Sequence, residues 1–398
     1  MLSLGLPLLL WAGVFSLTVA AVRAYRAAFV RAPLPGEGCA PLSVVIAAHN
    51  EATRIRGLVE SVFQQDHPDF EVIIVDDRST DETLSEARLA AKGDPRVRLL
   101  RVDQRPPGWQ GRLYALSVGV AESRRGWLLF LSADQRIVSA DFFRAILAEY
   151  ERRDVVAASV LGPFVGQRWW QIWWFRPIAE NPVLLGCIFL LQRLRSDATW
   201  LIGALAMRRE TYEAVGGAAA AASYGAGVFD DWGWTRVFES RRLRTAMVYH
   251  SALEDVSNWQ SFGDCWDGLS RWAAGILTCR RGAWLGALIL TALVGAFSIA
   301  TVKVLVDIAS FRLPTALSAA VAAIPPTVGV AYCRWHGHRV LWAALSAPIA
   351  VLMLAPLAGG ALARARNRIR WRDQELLVVV DAPAPVGVDT SNRESSPR

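Results

Sequence analysis

Four uncharged apolar stretches constrain the architecture of this chain more than any other feature of its sequence. Each contains 21 residues or more, and a helix of that length crosses a hydrocarbon core of roughly 30 Å. The stretches are Met1–Val22, Gly282–Val302, Leu313–Cys333 and Val340–Ala363. Between the first two, the composition is that of an ordinary globular domain. The sequence therefore predicts an N-terminal anchor (residues 1–22), a soluble domain and a C-terminal membrane bundle (residues 282–363).

The first stretch resembles an anchor more than a cleaved signal peptide, because no charged region precedes it and its apolar run is too long. Arginines follow it closely, so we expect a cell-membrane protein whose soluble domain faces the cytoplasm. Three simple crossings at the other end would leave the arginines of residues 364–372 outside. We therefore expect two to three C-terminal spans, with Leu313–Cys333 re-entrant or flat, a cytoplasmic tail, and disorder in residues 381–398.

The net charge of +7 comes largely from arginines that flank the apolar stretches. No basic stripe interleaved with aromatic residues occurs in the soluble part, so we expect no nucleic-acid partner and favour attraction to anionic lipid headgroups. The five cysteines have neither paired nor metal-ligand spacing. The sequence therefore predicts neither a disulfide framework nor a zinc site.

Strand and helix patterns alternate along the soluble part. Pro41–Glu51 is a short β-rich apolar run that ends in polar residues, which predicts a buried strand leading into a loop. Further strands are predicted at Phe70–Asp77, Val97–Val102 and Trp127–Leu131, and helical spacing predicts helices at Thr53–Gln65 and Leu113–Ala121. This order is typical of right-handed βαβ crossovers and a parallel sheet, whose ligands bind at the carboxyl ends of the strands. The predicted fold class is α/β.

Three carboxylates, Asp76, Asp77 and Asp134, are predicted to converge at such strand ends. Carboxylates there need a cation or donor hydrogens, and a nucleotide diphosphate with a divalent metal, Mg²⁺ or Mn²⁺, supplies both. No Walker-type loop or dinucleotide fingerprint is present, which disfavours phosphoryl transfer and redox chemistry. An Asp pair alone is a weak signal, and we expect Ser79 or Thr80 to cap the next helix.

Together, these segments resemble the family 2 glycosyltransferases, which have the GT-A fold, and within them the ceramide glucosyltransferase and hopanoid or carotenoid glycosyltransferase group. The resemblance covers residues 41–272. It implies a Rossmann-like catalytic domain with a mostly parallel sheet, a nucleotide-sugar donor and a divalent metal cofactor.

The donor side of the resemblance rests on four motifs. The first motif, Ser43-Val-Val-Ile-Ala-Ala-His-Asn-Glu51, is similar to the strand that borders the nucleotide base, and the second, Val75-Asp-Asp-Arg-Ser-Thr-Asp81, resembles a V-D-D-x-S-x-D signature. The third, Pro107-Gly-Trp-Gln-Gly-Arg112, resembles a P-x-G-W-x-G-K element, and the fourth, Leu128-Leu-Phe-Leu-Ser-Ala-Asp134, is similar to the strand that leads into a D-x-D motif. The resemblance assigns to donor binding the residues Ala47, His49, Asn50, Glu51, Asp76, Asp77, Arg112 and Ser132. It makes Asp77 the base contact, Arg112 a phosphate contact and Asp134 the metal ligand, while Ser132 replaces the leading aspartate.

The acceptor side of the resemblance rests on three further motifs, of which the first, Trp200–Gly217, is similar to a segment ending in R-R-E-x-x-x-x-x-G-G. Phe229-Asp-Asp-Trp-Gly-Trp-Thr-Arg236 stands where the family has E-D or D-D, and the resemblance makes Asp231 the general base with Asp230 beside it. Capping of a helix at Trp232–Ser240 is the alternative for this pair. Gly268-Leu-Ser-Arg-Trp272 resembles a Q-x-x-R-W box, in which Arg271 and Trp272 lie by the diphosphate and acceptor. The alternative is an interfacial Arg-Trp pair on a helix entering the membrane.

A tryptophan-rich segment, Gln167–Arg176, predicts either an interfacial helix that guides a lipid or a buried aromatic helix. The function that the resemblance implies is single transfer, with inversion, from a UDP-sugar to a hydroxyl of a lipid acceptor at the membrane. Three alternatives stay open: a processive polysaccharide synthase, a polyprenyl-phosphate glycosyltransferase, and a non-catalytic nucleotide-sugar-binding module.

Overall fold

The structure is a computed structural model of the chain. It describes residues 16, 19–166, 168, 171, 185, 189–190, 201, 203–224, 230–256, 261–279, 299–319, 321–323, 327, 330, 354–366, 368–371 and 374–377. The strands, numbered in chain order, are β1 Leu42–Ala48, β2 Phe70–Asp77, β3 Val97–Val102, β4 Trp127–Ser132, β5 Gln135–Ile137, β6 Ala157–Leu161, β7 Phe164–Val165, β8 Ala204–Arg208, β9 Thr245–Tyr249, β10 Leu253–Val256, β11 Arg368–Trp371 and β12 Gln374–Leu377. The helices are α1 Ile55–Phe63, α2 Thr83–Ala91, α3 Gly111–Glu122, α4 Phe142–Arg153, α5 Arg209–Ala214, α6 Gly217–Ser223, α7 Asp230–Ser240, α8 Phe262–Cys279 and α9 Leu354–Ala365.

A seven-stranded sheet in the order β3-β2-β1-β4-β8-β6-β9 forms the centre of the α/β unit. Strands β3, β2, β1 and β4 run parallel to one another, β8 is antiparallel to both β4 and β6, and β9 is parallel to β6. The expectation of an α/β fold with a mostly parallel sheet is therefore confirmed. The bounds of β2 and β3 are those that the apolar runs predicted.

Side chains of each central strand alternate between two hydrophobic cores, because successive residues of a strand point to opposite faces. Val44 and Ile46 of β1 belong to one core together with residues of α1, α2 and α4. Val45 belongs to the other core, with residues of α3, α6 and α7. The sheet is thus covered on both faces, and the same alternation decides on which face a polar residue at a strand end emerges.

The chain divides into two compact units. The α/β unit consists mainly of Val30–Gly162 and Ser196–Val256, and the second unit of Met1–Phe29, Pro163–Arg195 and Ser257–Val378. The predicted 41–272 domain thus includes residues of both units.

In the second unit, α8 packs closely on α9. A Cβ added to Gly360 would lie 2.6 Å from the backbone nitrogen of Ala274, so only glycine permits this approach. Strands β11 and β12 pair as an antiparallel hairpin.

Within the described residues, no helix combines the length and the apolar character needed to cross a membrane. Most residues of the four predicted spans, and most of the tryptophan-rich segment, lie outside the described residues, as does the predicted disordered tail. The anchor, the membrane bundle and their topology stay predictions.

Candidate active site

The loop after β1 is tied to the loop after β2 by hydrogen bonds. His49 Nδ1 donates to the carbonyl oxygen of Asp77 at 2.6 Å, and the backbone nitrogen of Asn50 donates to Ser79 Oγ at 2.9 Å. Asn50 has a φ of 54°, a left-handed conformation that asparagine tolerates. The backbone nitrogen of Glu51 donates to Thr83 Oγ1 at 2.7 Å. These bonds fix the predicted donor-side residues at the carboxyl ends of neighbouring strands.

The capping expectation for this loop is wrong. Helix α2 begins at Thr83, its N-cap residue is Glu82, and no side chain caps it. Ser79 instead accepts the Asn50 bond, and the backbone nitrogen of Thr80 donates to Asn50 Oδ1 at 2.9 Å. The Ser79 hydroxyl and the Asn50 side-chain amide therefore join the loop after β1 to the loop after β2, and neither caps α2.

Asp76 and Asp77 lie at the same edge of the sheet but emerge on opposite faces, because they are adjacent in β2. Asp76 is buried, accepts a bond from the backbone nitrogen of Ser79 at 3.2 Å and pairs with Arg101 at 3.4 Å. Asp77 Oδ2 pairs with Arg105 Nη1 at 3.3 Å on the face of α3. Contrary to the prediction, Asp76 therefore does not converge with Asp77 on the face of the sheet that α3 covers.

The amino-terminal end of α3 lies directly against Asp77. A Cβ added to Gly111 would stand 2.4 Å from Asp77 Oδ2, so glycine is required for this approach. The Gln110 side chain caps the helix by accepting from the backbone nitrogen of Leu113 at 2.9 Å. The polar end of α3 is thereby held beside the carboxylate for which the resemblance implies contact with the nucleotide base.

Arg112, the next residue of α3, joins β4 to α7. Its Nε donates to Asp230 Oδ2 at 2.6 Å, and its Nη1 donates to Ser132 Oγ at 2.7 Å. Burial alone would lower the pKa of Arg112, but the negative charges of Asp230, Asp231 and Asp134 outweigh it and raise the pKa. One cation is therefore surrounded by three of the predicted site carboxylates.

Asp230 and Asp231 lie inside the first turn of α7. The alternative that one of them caps a following helix at Trp232–Ser240 does not fit, because both residues already belong to the helix. Both carboxylates interact favourably with the positive end of the helix dipole there. The carbonyl oxygen of Asp231 accepts a bond from Thr235 Oγ1 at 2.8 Å.

Asp134 lies in the turn between β4 and β5, where its carbonyl oxygen accepts from the backbone nitrogen of Val256 at 2.8 Å. Asp255 lies beside Asp134 because β10 pairs antiparallel with β5, with Asp255 opposite Gln135. Burial, and then the charges of Asp134 and Glu51, raise the pKa of Asp255 well above its ordinary value. Ionisation of Asp255 is thus disfavoured beside Asp134, and a cation bound there would offset the repulsion between the two carboxyl groups.

In the described part of the chain, no group of three or more His, Cys, Asp or Glu side chains is arranged to enclose a metal ion. Mg²⁺ is usually held by one or two protein carboxylates together with substrate phosphates, and it needs no complete protein cage. Asp134, with the carboxyl group of Asp255 beside it, fits that kind of site.

Two residues of the site were missed by sequence reasoning. Arg105 pairs with Asp77 from a loop between β3 and α3, and Asp255 lies in a strand that no donor motif includes. Burial lowers the pKa of Arg105, while Asp77 acts in the opposite direction. Neither residue has a local signal, since only tertiary contacts bring it to the site.

Arg271 and Trp272 lie on α8 of the second unit. Their roles beside the diphosphate and the acceptor stay predictions.

Known proteins resemble the part of the chain that carries this site. Residues 43–215 match the family model described as Glycosyl transferase family 2. A PGL/p-HBAD biosynthesis glycosyltransferase of Mycobacterium tuberculosis is 33% identical over 130 residues, which are 32% of this chain and 49% of that protein. A 4,4'-diaponeurosporenoate glycosyltransferase of Staphylococcus aureus is 34% identical over 110 residues, 28% of either chain.

The chain spans about half or less of the length of these curated relatives. Among solved structures, a mannosyltransferase from Pyrobaculum calidifontis in complex with GDP-Man and Mn²⁺ is 20% identical, with a TM-score of 0.47, over 89% of this chain and 99% of that one.

Proposed function

We propose that this chain, whose residues 43–215 match the family model of the family 2 glycosyltransferases, is a membrane-anchored, inverting glycosyltransferase. It moves a sugar from a nucleotide donor, a UDP-sugar, to a hydroxyl group of a membrane lipid. The observation that carries the proposal is the contact of Arg112 with Asp230 and Ser132. This contact brings the first turn of α7 to the carboxyl end of β4, the edge at which open α/β sheets bind ligands.

Donor binding is proposed for the loops after β1 and β2. Asp77 contacts the nucleotide base, and Ala47, His49, Asn50 and Glu51 border it. Asp134 holds a divalent cation, Mg²⁺ or Mn²⁺, which supplies neutralisation of the diphosphate charge as this leaving group departs. The hydrogen bonds between the two loops support the assignment because they pre-arrange the groups before a donor binds.

Acceptor activation is proposed for Asp231. A hydroxyl that attacks the anomeric carbon must lose its proton as the new bond forms, and a carboxylate within hydrogen-bond reach accepts it. The oxygen attacks while the bond from the anomeric carbon to the diphosphate breaks, so a single displacement inverts that carbon. Asp230, the neighbouring residue in α7, accepts from Arg112 and is assigned the supporting role.

The membrane location is supported by exposed apolar side chains in the second unit. Ile299 is 72% exposed, and Phe311 and Leu313 are almost fully exposed. Such surface is costly in water and favourable in lipid.

Arg271 and Trp272 are proposed to contact the diphosphate and the acceptor, and the α/β unit is proposed to face the cytoplasm.

Mass spectrometry of membrane lipids from cells with and without the gene tests the proposal. The expected result is a lipid species that is heavier by one sugar residue only when the gene is present. A ladder of longer products would favour a processive synthase. Tight UDP binding by the purified chain, with neither donor hydrolysis nor transfer in Mg²⁺ or Mn²⁺, would leave only the non-catalytic alternative.

The proposed cytoplasmic tail has its own test. A reporter enzyme fused after Val380, and active only in the periplasm, would contradict the orientation without affecting the proposed chemistry.

A further inference from the structure

The guanidinium of Arg112 links α3, β4 and α7 through side-chain hydrogen bonds. Its Nε is 2.6 Å from Asp230 Oδ2, and its Nη1 is 2.7 Å from Ser132 Oγ. Nη1 also lies 3.5 Å from the carbonyl oxygen of Leu131. Two of the three guanidinium nitrogens therefore already have protein partners.

The Arg112–Asp230 pair is largely removed from solvent, with side-chain exposures of 20% and 15%. An ion pair in such a place is strongly dependent on both partners, because removing one leaves an uncompensated charge in a poorly solvated site. Asp231 and Asp134 add their negative charges to the surroundings of Arg112. Without the guanidinium, Asp230 and Asp231 would repel each other within one helical turn.

The amino-terminal end of α7 is held from a second direction as well. Thr235 Oγ1 accepts from the backbone nitrogen of Leu201 at 3.1 Å and donates to the carbonyl oxygen of Asp231 at 2.8 Å. Arg112 and the Leu201–Thr235 contact therefore hold the first turn of α7 at two points. A helix fixed in this way presents its second residue, Asp231, in one position.

We propose that Arg112 is a positioning residue for the general base and is not primarily a contact for the donor's phosphates. The inference rests on the proposed function, in which Asp231 is the base. Arg112 orients α7 through Asp230, and Ser132 orients the guanidinium. The geometry requires arginine: its planar fork reaches two acceptors at once, whereas a lysine ammonium is a single point on a flexible stem.

The test separates catalytic rate from donor affinity in the full chain purified in detergent. Binding of UDP in the presence of Mn²⁺ is measured by calorimetry, and turnover is measured as UDP release from a UDP-sugar with membrane lipids as acceptor. For Arg112→Lys, which keeps the charge, we expect UDP affinity within about threefold of the wild type and a kcat lowered by at least about tenfold, because misplacement of a catalytic group lowers kcat.

Asp230→Asn tests the same contact from its other end, and we again expect a lowered kcat with UDP affinity close to that of the wild type. The double variant should be hardly worse than either single one, because residues that act through one contact are not additive. Arg244→Lys is the matched control, since Arg244 forms an exposed ion pair with Asp154 at 3.3 Å.

A loss of UDP affinity with kcat retained in Arg112→Lys would overturn the inference and make Arg112 a phosphate contact. Unchanged kcat in both variants, or additive losses in the double variant, would also overturn it. If the wild-type chain neither binds UDP nor releases it from a donor, the proposed function itself fails, which is a distinct outcome. Thermal unfolding of each variant identifies any that does not fold, in which case the other variant decides.

Discussion

Gly111 lies so close to Asp77 that a Cβ on Gly111 would stand 2.4 Å from Oδ2 of the carboxylate. The same Cβ would stand 2.5 Å from Nη1 of Arg105. Both distances are far below normal van der Waals contact. The close approach of α3 to the end of β2 therefore depends on the absence of a side chain at residue 111.

Gly111→Ala should weaken UDP binding by about tenfold or more, because the added methyl group must displace Asp77 or Arg105, and such overpacking typically costs about 1–3 kcal/mol. Calorimetric titration with UDP measures this affinity. The matched control is Gly57→Ala in α1, where an added Cβ meets nothing within 4 Å. That control should retain UDP affinity and gain roughly 0.5–1 kcal/mol of stability, because alanine is the better helix former. Equal UDP affinity in the two variants would contradict the assignment of Asp77 to the nucleotide.

The stability of the α/β unit should fall as the pH is lowered from about 6.5 towards 4, and His250 should account for part of that loss. Burial lowers the pKa of His250 to about 4, while the ordinary value is near 6.5. The native state thus keeps the imidazole neutral, with Nδ1 accepting from the backbone nitrogen of Ala252 at 3.1 Å. The unfolded state takes up the proton first, so stability is present above pH 6.5 and is lost down to pH 4.

His250→Asn removes this titration, and its shorter side chain still offers an acceptor to the backbone. Between pH 7.5 and 4.5, the variant should lose less unfolding free energy than the wild type, by up to about 2 kcal/mol. Urea unfolding followed by tryptophan fluorescence at both pH values measures the difference. Parallel pH curves for the two proteins would show that His250 does not carry the effect.

The sheet could be predicted from the sequence because its signals are local. The apolar runs of β2 and β3 gave their bounds, and the order of strands and helices gave the parallel pairing. The alternation of side chains along a strand also predicts that Asp76 and Asp77 emerge on opposite faces of the sheet. Which face each one takes depends on which helices cover the sheet.

The contacts that assemble the site could not be predicted in the same way. Arg112 and Asp230 are 118 residues apart, and nothing local in either motif indicates an ion pair between them. Asp255 reaches Asp134 only through the pairing of β10 with β5. The sequence pattern predicts a helix from Trp232, whereas α7 already includes Asp230 and Asp231, because an aspartate is favourable both before a helix and in its first turn.

Asp134→Asn should weaken the binding of Mn²⁺ in the presence of UDP by at least about tenfold, because hard divalent cations bind according to the number and charge of their oxygen ligands. Electron paramagnetic resonance of free Mn²⁺ during titration measures this affinity independently of turnover. Asp154→Asn is the control, since the Asp154 side chain is 95% exposed and pairs only with an exposed arginine among the described residues. If the two variants retain the same Mn²⁺ affinity, Asp134 is not a metal ligand.

Asp231→Asn should lower kcat by about 10²–10⁴-fold, the usual contribution of a positioned general base, while the affinity for UDP stays close to that of the wild type. The amide keeps the size of the carboxylate and cannot take the proton of the acceptor hydroxyl. Glu239→Gln, on the same helix and paired with Arg236 at 3.1 Å, is the matched control for loss of a carboxylate from α7. An Asp231→Asn chain with normal turnover would mean that the acceptor needs no base, and an acceptor that is already anionic, such as a polyprenyl phosphate, would then replace the lipid hydroxyl.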